Sequence, residues 1–186
     1  MTAGWIVALA GLPGTGKSAL AAELVRVTGW PVFDKDRVRA ALFGPDGVEH
    51  SAAQDDFCAS LTYLAATWQL QQQRSAGVVL DGRTYARPGT LLPLLALRGA
   101  VPGARLALIE CHCAPDIAGQ RLARDRLAGT HPAADRDAAL YRRLAAVAQP
   151  LALPADVLHL RFDTGVLQPA AAATAVLAAL HTAAAR

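Results

Sequence analysis

Apolar residues occur along the chain in two alternating patterns. Short uninterrupted runs predict buried strands at residues 5–10, 30–33, 78–81, 106–111 and 157–162. Helical spacing or helix-start signals predict helices at 19–28, 34–44 and 51–75, from Pro88, from Pro115, at 135–148 and at 170–185. Pro45-Asp46-Gly47 predicts a turn after the second of these helices. Apolar strands that alternate with helices are typical of a parallel sheet covered on both faces. We therefore predict an α/β fold with a five-stranded parallel sheet, in one domain spanning residues 1–186.

The first predicted strand leads directly into a glycine-rich loop. After Ala10 the sequence reads Gly-Leu-Pro-Gly-Thr-Gly-Lys-Ser, and a helix follows until Gly29 ends it. This is the phosphate-binding pattern G-x-x-x-x-G-K-[ST], in which backbone N–H groups and a helix N-terminus surround a diphosphate. The residues expected to bind a nucleotide are Gly11, Pro13, Gly14, Thr15, Gly16, Lys17, Ser18 and Ala19.

Three side chains have separate expected roles around this loop. Lys17 is expected to reach the β- and γ-phosphates, and Ser18 to bind a Mg²⁺ that bridges them. Asp81 ends an apolar strand, as a Walker B carboxylate does, so we expect it to hold the Mg²⁺ through a water or to orient Ser18. Contact with an acceptor hydroxyl is the alternative role for Asp81. ATP and Mg²⁺ are the predicted cofactors, in a three-layer P-loop NTPase fold.

Composition narrows the class of nucleotide-binding protein. The chain contains no asparagine, which excludes the Asn-Lys-x-Asp motif expected of a GTPase, and no Ser-Gly-Gly motif of the ABC type. The net charge is +3, but only two lysines occur, which favours specific arginine–phosphate contacts over a diffuse polyanion surface. The three cysteines lack metal-ligand spacing and are expected to be reduced. With these classes excluded, a compact kinase is the predicted class of nucleotide-binding protein.

The sequence also carries expectations about location and assembly. No basic region precedes the apolar run at 5–10, and cleavage there would destroy the loop, so we expect a cytoplasmic protein. The alanine-rich stretch 170–185 is interrupted by Thr174, His181 and Thr182, which predicts a packed helix rather than a membrane span. The pattern fits either a monomer or a homodimer.

Several segments together resemble the P-loop kinases that include polynucleotide 5'-hydroxyl kinases, chloramphenicol phosphotransferase and zeta-toxin-like enzymes. The resemblance spans nearly the whole chain, although only the glycine-rich loop is highly specific alone. It implies a helical acceptor-side segment at about 36–76 and a kinase lid at about 121–136. The matching segments are Gly11 to Ser18, Lys35 to Arg39 with Leu42-Phe43-Gly44, Val79-Leu80-Asp81 and Arg121 to Arg124.

The resemblance assigns the acceptor side of the reaction. In this family an Asp-x-x-Arg segment after the second strand provides the general base and an arginine near the acceptor, which fall here on Asp36 and Arg39. A carboxylate can orient a hydroxyl and accept its proton as the bond to phosphorus forms. Asp34 is the alternative base, because side chains two residues apart in an extended segment point the same way. Arg83 is expected to grip the acceptor.

Arginines after the fourth strand resemble the lid arginines of the same family. These close over the γ-phosphate and neutralise charge in the transition state, and Arg121 and Arg124 fit the pattern best. Arg124 and Thr164 are also expected to contact the nucleotide. For each single arginine the alternative is a solvated helix face paired with Asp116 or Asp125.

The long helix predicted at 51–75 carries two stripes, after a capping box expected at Ser51 and Gln54. The apolar stripe is expected to pack in the core and contains Phe57, Leu61, Leu64 and Trp68. The polar stripe either lines an acceptor pocket or, more commonly for such a pattern, faces solvent; it contains Asp56, Ser60, Tyr63 and Thr67.

The sequence thus predicts an ATP-dependent phosphotransferase that moves the γ-phosphate of Mg-ATP to a hydroxyl of a small-molecule acceptor, with Asp36 as general base. A polynucleotide 5'-hydroxyl kinase and a non-catalytic nucleotide-binding regulatory module are the alternatives. Nucleic acid is the less favoured partner, because aromatic residues are few and lysines do not cluster. Nothing in the sequence identifies the acceptor.

Overall fold

The computed structural model describes residues 4–49, 51–128 and 137–185. Its strands are β1 (Trp5–Ala10), β2 (Val32–Asp34), β3 (Gly77–Asp81), β4 (Arg105–His112) and β5 (Leu158–Asp163). Its helices are α1 (Lys17–Thr28), α2 (Lys35–Gly47), α3 (Ala52–Gln71), α4 (Leu92–Ala100), α5 (Pro115–Ala128), α6 (Ala138–Val147) and α7 (Pro169–Ala184). The predicted alternation of strands and helices is confirmed.

The strands form one parallel sheet in the order β2-β3-β1-β4-β5. The side chains of Ile6 and Ala8 on β1 belong to the apolar core beneath α3 and α4. Those of Val7 and Leu9 belong to the opposite core, beneath α1 and α7. The three-layer α/β architecture is therefore as predicted, and the carboxyl end of β1 lies at the centre of the sheet edge where such folds bind ligands.

α2 differs from the sequence prediction at its carboxyl end. Gly44 has φ 62° and ψ −177°, which interrupts the regular helix at the residue where it was expected to close. Helical geometry then resumes as far as Gly47, where the sequence predicted a turn at 45–47. The prediction was correct for the break and wrong for the segment that follows.

The prediction for the apolar stripe of α3 is wrong. Phe57, Leu64 and Trp68 are 50%, 66% and 50% exposed. The helix instead packs on the sheet through a face of mostly small or polar residues: Gln54, Cys58, Ala59, Thr62, Tyr63, Ala66 and Leu70. The small residues permit close packing, and the Tyr63 hydroxyl is hydrogen-bonded to that of Tyr85 at 3.1 Å. The polar stripe is split, because Tyr63 is buried whereas Asp56 and Ser60 are exposed.

The start of α3 shows a modified capping box. The Ser51 hydroxyl accepts a hydrogen bond from the Gln54 N–H, as expected. The Gln54 side chain, however, accepts from the Glu49 N–H and donates to the Gly47 carbonyl instead of returning to Ser51. This arrangement ties the end of α2 to the start of α3.

The helix expected to open at Pro88 begins later. α4 starts at Leu92, with a proline in its first turn. The preceding residues form a turn, in which Gly89 has φ 76° and the Thr90 hydroxyl donates to the Arg87 carbonyl. Over residues 4–49, 51–128 and 137–185, no helix has the length and hydropathy needed to span a bilayer.

Gly77, the first residue of β3, lies beside the aromatic ring of Trp30. A Cβ atom at this position would lie 2.5 Å from the ring of Trp30, so the ring would have to move. We expect Gly77→Ala to lower the free energy of unfolding by about 1–3 kcal/mol. Gly119→Ala on α5 is the matched control, because its Cβ meets nothing within 4 Å and alanine favours a helix by about 1 kcal/mol. Chemical denaturation measures both, and equal stability of the Gly77→Ala and wild-type proteins would contradict this packing.

Candidate active site

The glycines of the loop after β1 occupy positions that other residues cannot adopt without strain. Gly11, Gly14 and Gly16 have φ of 137°, 76° and 80°. A Cβ on Gly11 would lie 2.2 Å from the Cys111 carbonyl oxygen, and one on Gly14 would lie 2.7 Å from that of Ala118. The loop is therefore pressed against β4 and α5, with its last glycine at the N-terminus of α1. Such a turn directs backbone N–H groups toward an anion.

Lys17 is the first residue of α1 and its side chain turns back over the loop. The residue is 6% exposed, and its Nζ donates to the carbonyl oxygens of Gly11 and Leu12 at 2.7 and 2.9 Å. The Thr15 hydroxyl donates to the same Leu12 carbonyl at 2.7 Å. These bonds hold the ammonium group inside the loop, where the sequence places the phosphates.

Arg121 and Thr164 meet on the other side of the loop, although they lie 43 residues apart in sequence. The Thr164 hydroxyl donates to the Thr15 carbonyl at 2.9 Å. Arg121 donates to the Thr164 hydroxyl at 3.0 Å, to its carbonyl at 2.7 Å and to the Gly14 carbonyl at 3.4 Å. The structure thus brings these two predicted site residues together against the phosphate loop.

Arg124 is not brought into this cluster. Its side chain is 77% exposed, and its guanidinium lies 4.0 Å from Asp125. That placement matches the solvated alternative, while the second half of the expected lid, residues 129–136, lies outside the described residues. The lid and the role of Arg124 stay predictions.

A cavity of about 290 Å³ lies beside the loop and is lined by two of the four residues predicted to bind the acceptor. Lys17 and Ser18 line it from the loop, and Asp36 and Arg39 line it from α2. The remaining lining residues come from the loop, α2, the start of α3, the segment after β3, and α6: Pro13, Lys35, Ser51, Ala52, Asp55, Gly82, Thr84, Ala86, Arg87, Leu140, Arg143, Leu144 and Val147. The predicted base and the loop therefore face the same space.

An ion-pair network holds Asp36 in the cavity wall. Its Oδ1 atom contacts Lys35 Nζ at 3.1 Å and Arg39 Nη1 at 3.0 Å. Arg39 Nη2 also contacts Asp55 Oδ1 at 2.7 Å, and Lys35 pairs with the same oxygen. Lys35, Asp36 and Arg39 are 6%, 9% and 4% exposed. The Oδ2 atom of Asp36 accepts no hydrogen bond from any described residue, so one carboxylate oxygen is left for another donor.

Asp55 is a site residue that sequence reasoning missed. Burial acts to raise the pKa of its carboxyl group, but the charge of Lys35 and the hydrogen bonds from Lys35 and Arg39 outweigh it and lower that pKa. Asp55 therefore stays ionised and balances the second positive charge of the network. No local pattern could have identified it, because Asp55 enters the network from a different helix, 16 residues after Arg39.

Asp34, the alternative base, has a structural role in this arrangement. It is the N-cap of α2, and its Oδ1 accepts from the N–H groups of Asp36 and Arg37 at 2.8 and 3.3 Å. It lies opposite Asp81 in the pairing of β2 with β3. Burial, followed by the charge of Asp81, raises the pKa of Asp34. Asp34 does not line the cavity, whereas Asp36 does.

The oxygen groups near the loop fit a magnesium ion. Ser18 lines the cavity, and Asp81 ends β3 with its Oδ1 bound to the Gly82 N–H at 2.7 Å. Asp34 and Asp81 place two carboxylates at neighbouring strand ends, where a cation would offset their repulsion. Among the described residues no group of three His, Cys, Asp or Glu side chains could hold a metal. This donor set suits Mg²⁺, which keeps several waters and binds through phosphates plus one or two carboxylates.

Arg83 does not line the cavity. It is 5% exposed, donates to Asp56 and lies with its guanidinium carbon 5.9 Å from the centre of the Tyr85 ring. Arg87, four residues later, donates to the same Asp56 oxygen at 2.9 Å and lines the cavity. Sequence reasoning chose the arginine next to the strand and missed the one that reaches the cavity, as it also missed Arg143 of α6.

Comparisons with solved structures match the whole chain. A proposed kinase from Chloroflexus aurantiacus J-10-fl is 18% identical, with 98% of this chain and 99% of the other covered and a TM-score of 0.78. The APS kinase of Mycobacterium tuberculosis, in complex with AMPPNP and APS, is 17% identical, with 97% of this chain and 99% of the other covered and a TM-score of 0.65. A gluconokinase from Sinorhizobium meliloti 1021 is 16% identical, with 97% of each chain covered and a TM-score of 0.56. At these identities the similarity shows the fold alone, which is that of P-loop kinases.

Comparisons of sequence give the family. None of the curated proteins matches this chain. The narrower resemblance to polynucleotide kinases, chloramphenicol phosphotransferase and zeta-toxin-like enzymes stays a prediction. The family model AAA_33, described as an AAA domain, matches residues 6–151, a range that includes the phosphate loop, the ion-pair network and Arg143. Because this match covers most of the chain, the protein belongs to the AAA_33 family of AAA domains.

Proposed function

We propose that the protein is a Mg²⁺- and ATP-dependent kinase that transfers the γ-phosphate to a hydroxyl group of a small molecule. The observation that carries the proposal is the composition of one cavity wall: Lys17 and Ser18 of the phosphate loop face the same space as Asp36 and Arg39. A phosphoryl donor and a hydroxyl acceptor need such a shared space, because the reaction depends on in-line positioning. The cavity volume of about 290 Å³ is at the lower end for small-molecule sites.

In the proposed reaction Asp36 is the general base. Lys35 and Arg39 hold its Oδ1, so the carboxylate has a fixed orientation and Oδ2 is available to the acceptor hydroxyl. As the hydroxyl oxygen bonds to the γ-phosphorus, its proton passes to Asp36 and ADP leaves. The N-cap bonds of Asp34 support this assignment over the alternative base, because they use Asp34 to start α2.

The remaining loop residues stabilise charge. Lys17 would neutralise the β- and γ-phosphates, and Ser18 and Asp81 would hold the Mg²⁺, which supplies further charge neutralisation when bound. Arg121 would act through its hydrogen bonds to the Gly14 carbonyl and to Thr164, which fix the loop that receives the phosphates. An additional contact of Arg124 with the γ-phosphate belongs to the same proposal.

The named structural neighbours agree with a small acceptor. They include a gluconokinase, a shikimate kinase in complex with shikimate, and an APS kinase in complex with APS. They also include Kti12 in complex with ADP-AlF3, so the fold alone does not identify the acceptor. The cavity composition is what favours transfer to a hydroxyl, since a module that only binds nucleotide needs no carboxylate poised beside its phosphate loop.

Transfer of labelled γ-phosphate tests the proposal. The purified protein is incubated with labelled ATP and Mg²⁺ and with sugars, hydroxy acids, nucleosides, antibiotics or a 5'-hydroxyl oligonucleotide. Label in a small molecule that disappears with EDTA supports the proposed kinase. Label in the oligonucleotide alone favours the polynucleotide kinase instead. Tight ATP binding without transfer to any acceptor favours the regulatory module.

A further inference from the structure

The cavity wall contains more positive than negative side chains. Among its described lining residues the carboxylates are Asp36 and Asp55. The cationic lining residues are Lys17, Lys35, Arg39, Arg87 and Arg143. Clustering like charges destabilises a folded protein unless counter-charges lie nearby. The excess therefore has a structural cost that a bound anion would remove.

Apart from Lys17, the excess consists of two exposed or partly exposed arginines, Arg87 and Arg143. Lys35 and Arg39 are buried and balanced by Asp36 and Asp55. The Arg87 side chain is 39% exposed. Arg143 is exposed on α6 and lines the cavity, and the described carboxylate that its charge influences is Asp137 at the start of that helix, with which it forms no salt bridge.

Arg87 is only partly neutralised by its protein partner. Asp56 is its carboxylate neighbour, and the same Asp56 oxygen also accepts a hydrogen bond from Arg83. One carboxylate thus serves two guanidinium groups, and it is itself 51% exposed. Isolated arginines at a surface usually face water. Here two incompletely balanced arginines from separate elements, the segment after β3 and α6, line one small cavity.

We infer that the phosphoryl acceptor carries an anionic group, a carboxylate or a phosphate monoester, which Arg87 and Arg143 bind while its hydroxyl meets Asp36. The inference rests on the proposed function and specifies its substrate class. Guanidinium groups suit it chemically, because their planar fork donates two parallel hydrogen bonds to a carboxylate or phosphate. The cavity volume of about 290 Å³ suits a compact molecule that carries both the anion and the hydroxyl.

Matched acceptor pairs that differ in one anionic group test the inference. The pairs are gluconate with glucose, glycerate with glyceramide, and glycerol 3-phosphate with glycerol, each with Mg-ATP. We expect the anionic member of at least one pair to have the higher kcat/KM by about 10-fold or more, the effect of one or two charge-assisted hydrogen bonds. The gluconate and glycerate pairs test a carboxylate, and the glycerol 3-phosphate pair tests a phosphate monoester. Phosphorylation of the neutral members at equal or higher kcat/KM overturns the inference and leaves the kinase proposal intact.

Variants of the two arginines test whether Arg87 and Arg143 are the residues that bind the anionic group. Arg143→Gln and Arg87→Gln should each raise the KM for the anionic acceptor by about 10-fold and leave the KM for ATP unchanged. Arg142→Gln is the matched control, because Arg142 is the exposed neighbour of Arg143 on α6 and does not line the cavity. A rise in the KM for ATP in the Arg143 and Arg87 variants would assign these arginines to the nucleotide and overturn the inference.

Binding measurements test the inference independently of turnover. Thermal unfolding is measured with AMPPNP and each member of the three pairs. Stabilisation by the anionic members alone, lost in Arg143→Gln but kept in Arg142→Gln, supports the inference even if no phosphate is transferred. Equal stabilisation by both members of every pair, or by neither, contradicts it. The absence of transfer to every acceptor counts against the proposed kinase instead.

Discussion

Asp36→Asn should lower the turnover number for phosphoryl transfer by about 10² or more and leave the dissociation constant for ATP unchanged. The amide keeps the size of the carboxylate but cannot accept the proton of the acceptor hydroxyl. ATP binding should persist because it depends on the phosphate loop, and the contacts of Asp36 are with Lys35, Arg39 and the acceptor space. Single-turnover transfer and equilibrium ATP binding measure the two quantities separately.

Asp55→Asn is the matched control for this experiment. Asp55 belongs to the same ion-pair network and contacts Lys35 and Arg39, as Asp36 does. Its carboxylate, however, is not the proposed base. Loss of one partner from a buried ion pair costs about 3–5 kcal/mol, and the cost should be smaller for Asp55, whose side chain is 28% exposed. Both variants should therefore unfold at lower temperature. If the two variants lose turnover equally, the effect of Asp36→Asn comes from the network and the base assignment is wrong.

The parts of the site that the sequence predicted are those close to a strand end. The loop follows β1 directly, Asp81 is the last residue of β3, and Asp36 comes two residues after β2. Parallel strands end at the same edge of a sheet, so residues far apart in sequence are placed together once the strands are assigned. Periodicity and one specific motif were therefore enough for the fold and for the position of the glycine-rich loop, whereas Asp36 was chosen through the family resemblance, and its role stays a prediction.

The parts that the sequence did not predict depend on helix rotation. Asp55 lies on α3 and Arg143 on α6, and which face of a helix meets a cavity is decided by packing. On α3 two stripes share the same spacing, and hydrophobicity selected Phe57 and Trp68, which are half exposed. The helix packs through smaller residues such as Ala59, because these allow a close approach to the sheet.

The choice between Arg83 and Arg87 depended on backbone conformation. Gly82 and Tyr85 have φ of 88° and 56°, and the chain bends directly after β3. Proximity in sequence to the strand end is a poor guide to side-chain position in such an irregular segment. Positive φ is expected at glycine but uncommon at tyrosine, and Tyr85 is held in place by burial, at 3% exposure, and by the hydrogen bond between its hydroxyl and that of Tyr63. No local pattern indicates that combination.

Lys17→Ala should weaken ATP binding and also lower turnover by about 10²–10³, the effect of losing one preorganised donor at a developing charge. Its ammonium group is buried in the phosphate loop and donates to the Gly11 and Leu12 carbonyl oxygens. Lys17→Arg keeps the charge but replaces a compact point charge with a planar fork, so it should restore binding better than turnover. ATP titration and single-turnover transfer measure these two effects, and thermal unfolding shows whether both variants are folded.

Asp36→Asn and Lys17→Ala should change turnover and ATP binding in different ways. The difference tests whether one part of the cavity binds the acceptor and another part the phosphates. Asp36→Asn should separate turnover from ATP binding, whereas Lys17→Ala should lower both, because Asp36 faces the acceptor and Lys17 the phosphates. Loss of ATP affinity in Asp36→Asn but not in Asp55→Asn, which removes a carboxylate from the same network, would place Asp36 at the nucleotide. Unchanged ATP affinity in Lys17→Ala would contradict the role of the glycine-rich loop, and with it the kinase proposal.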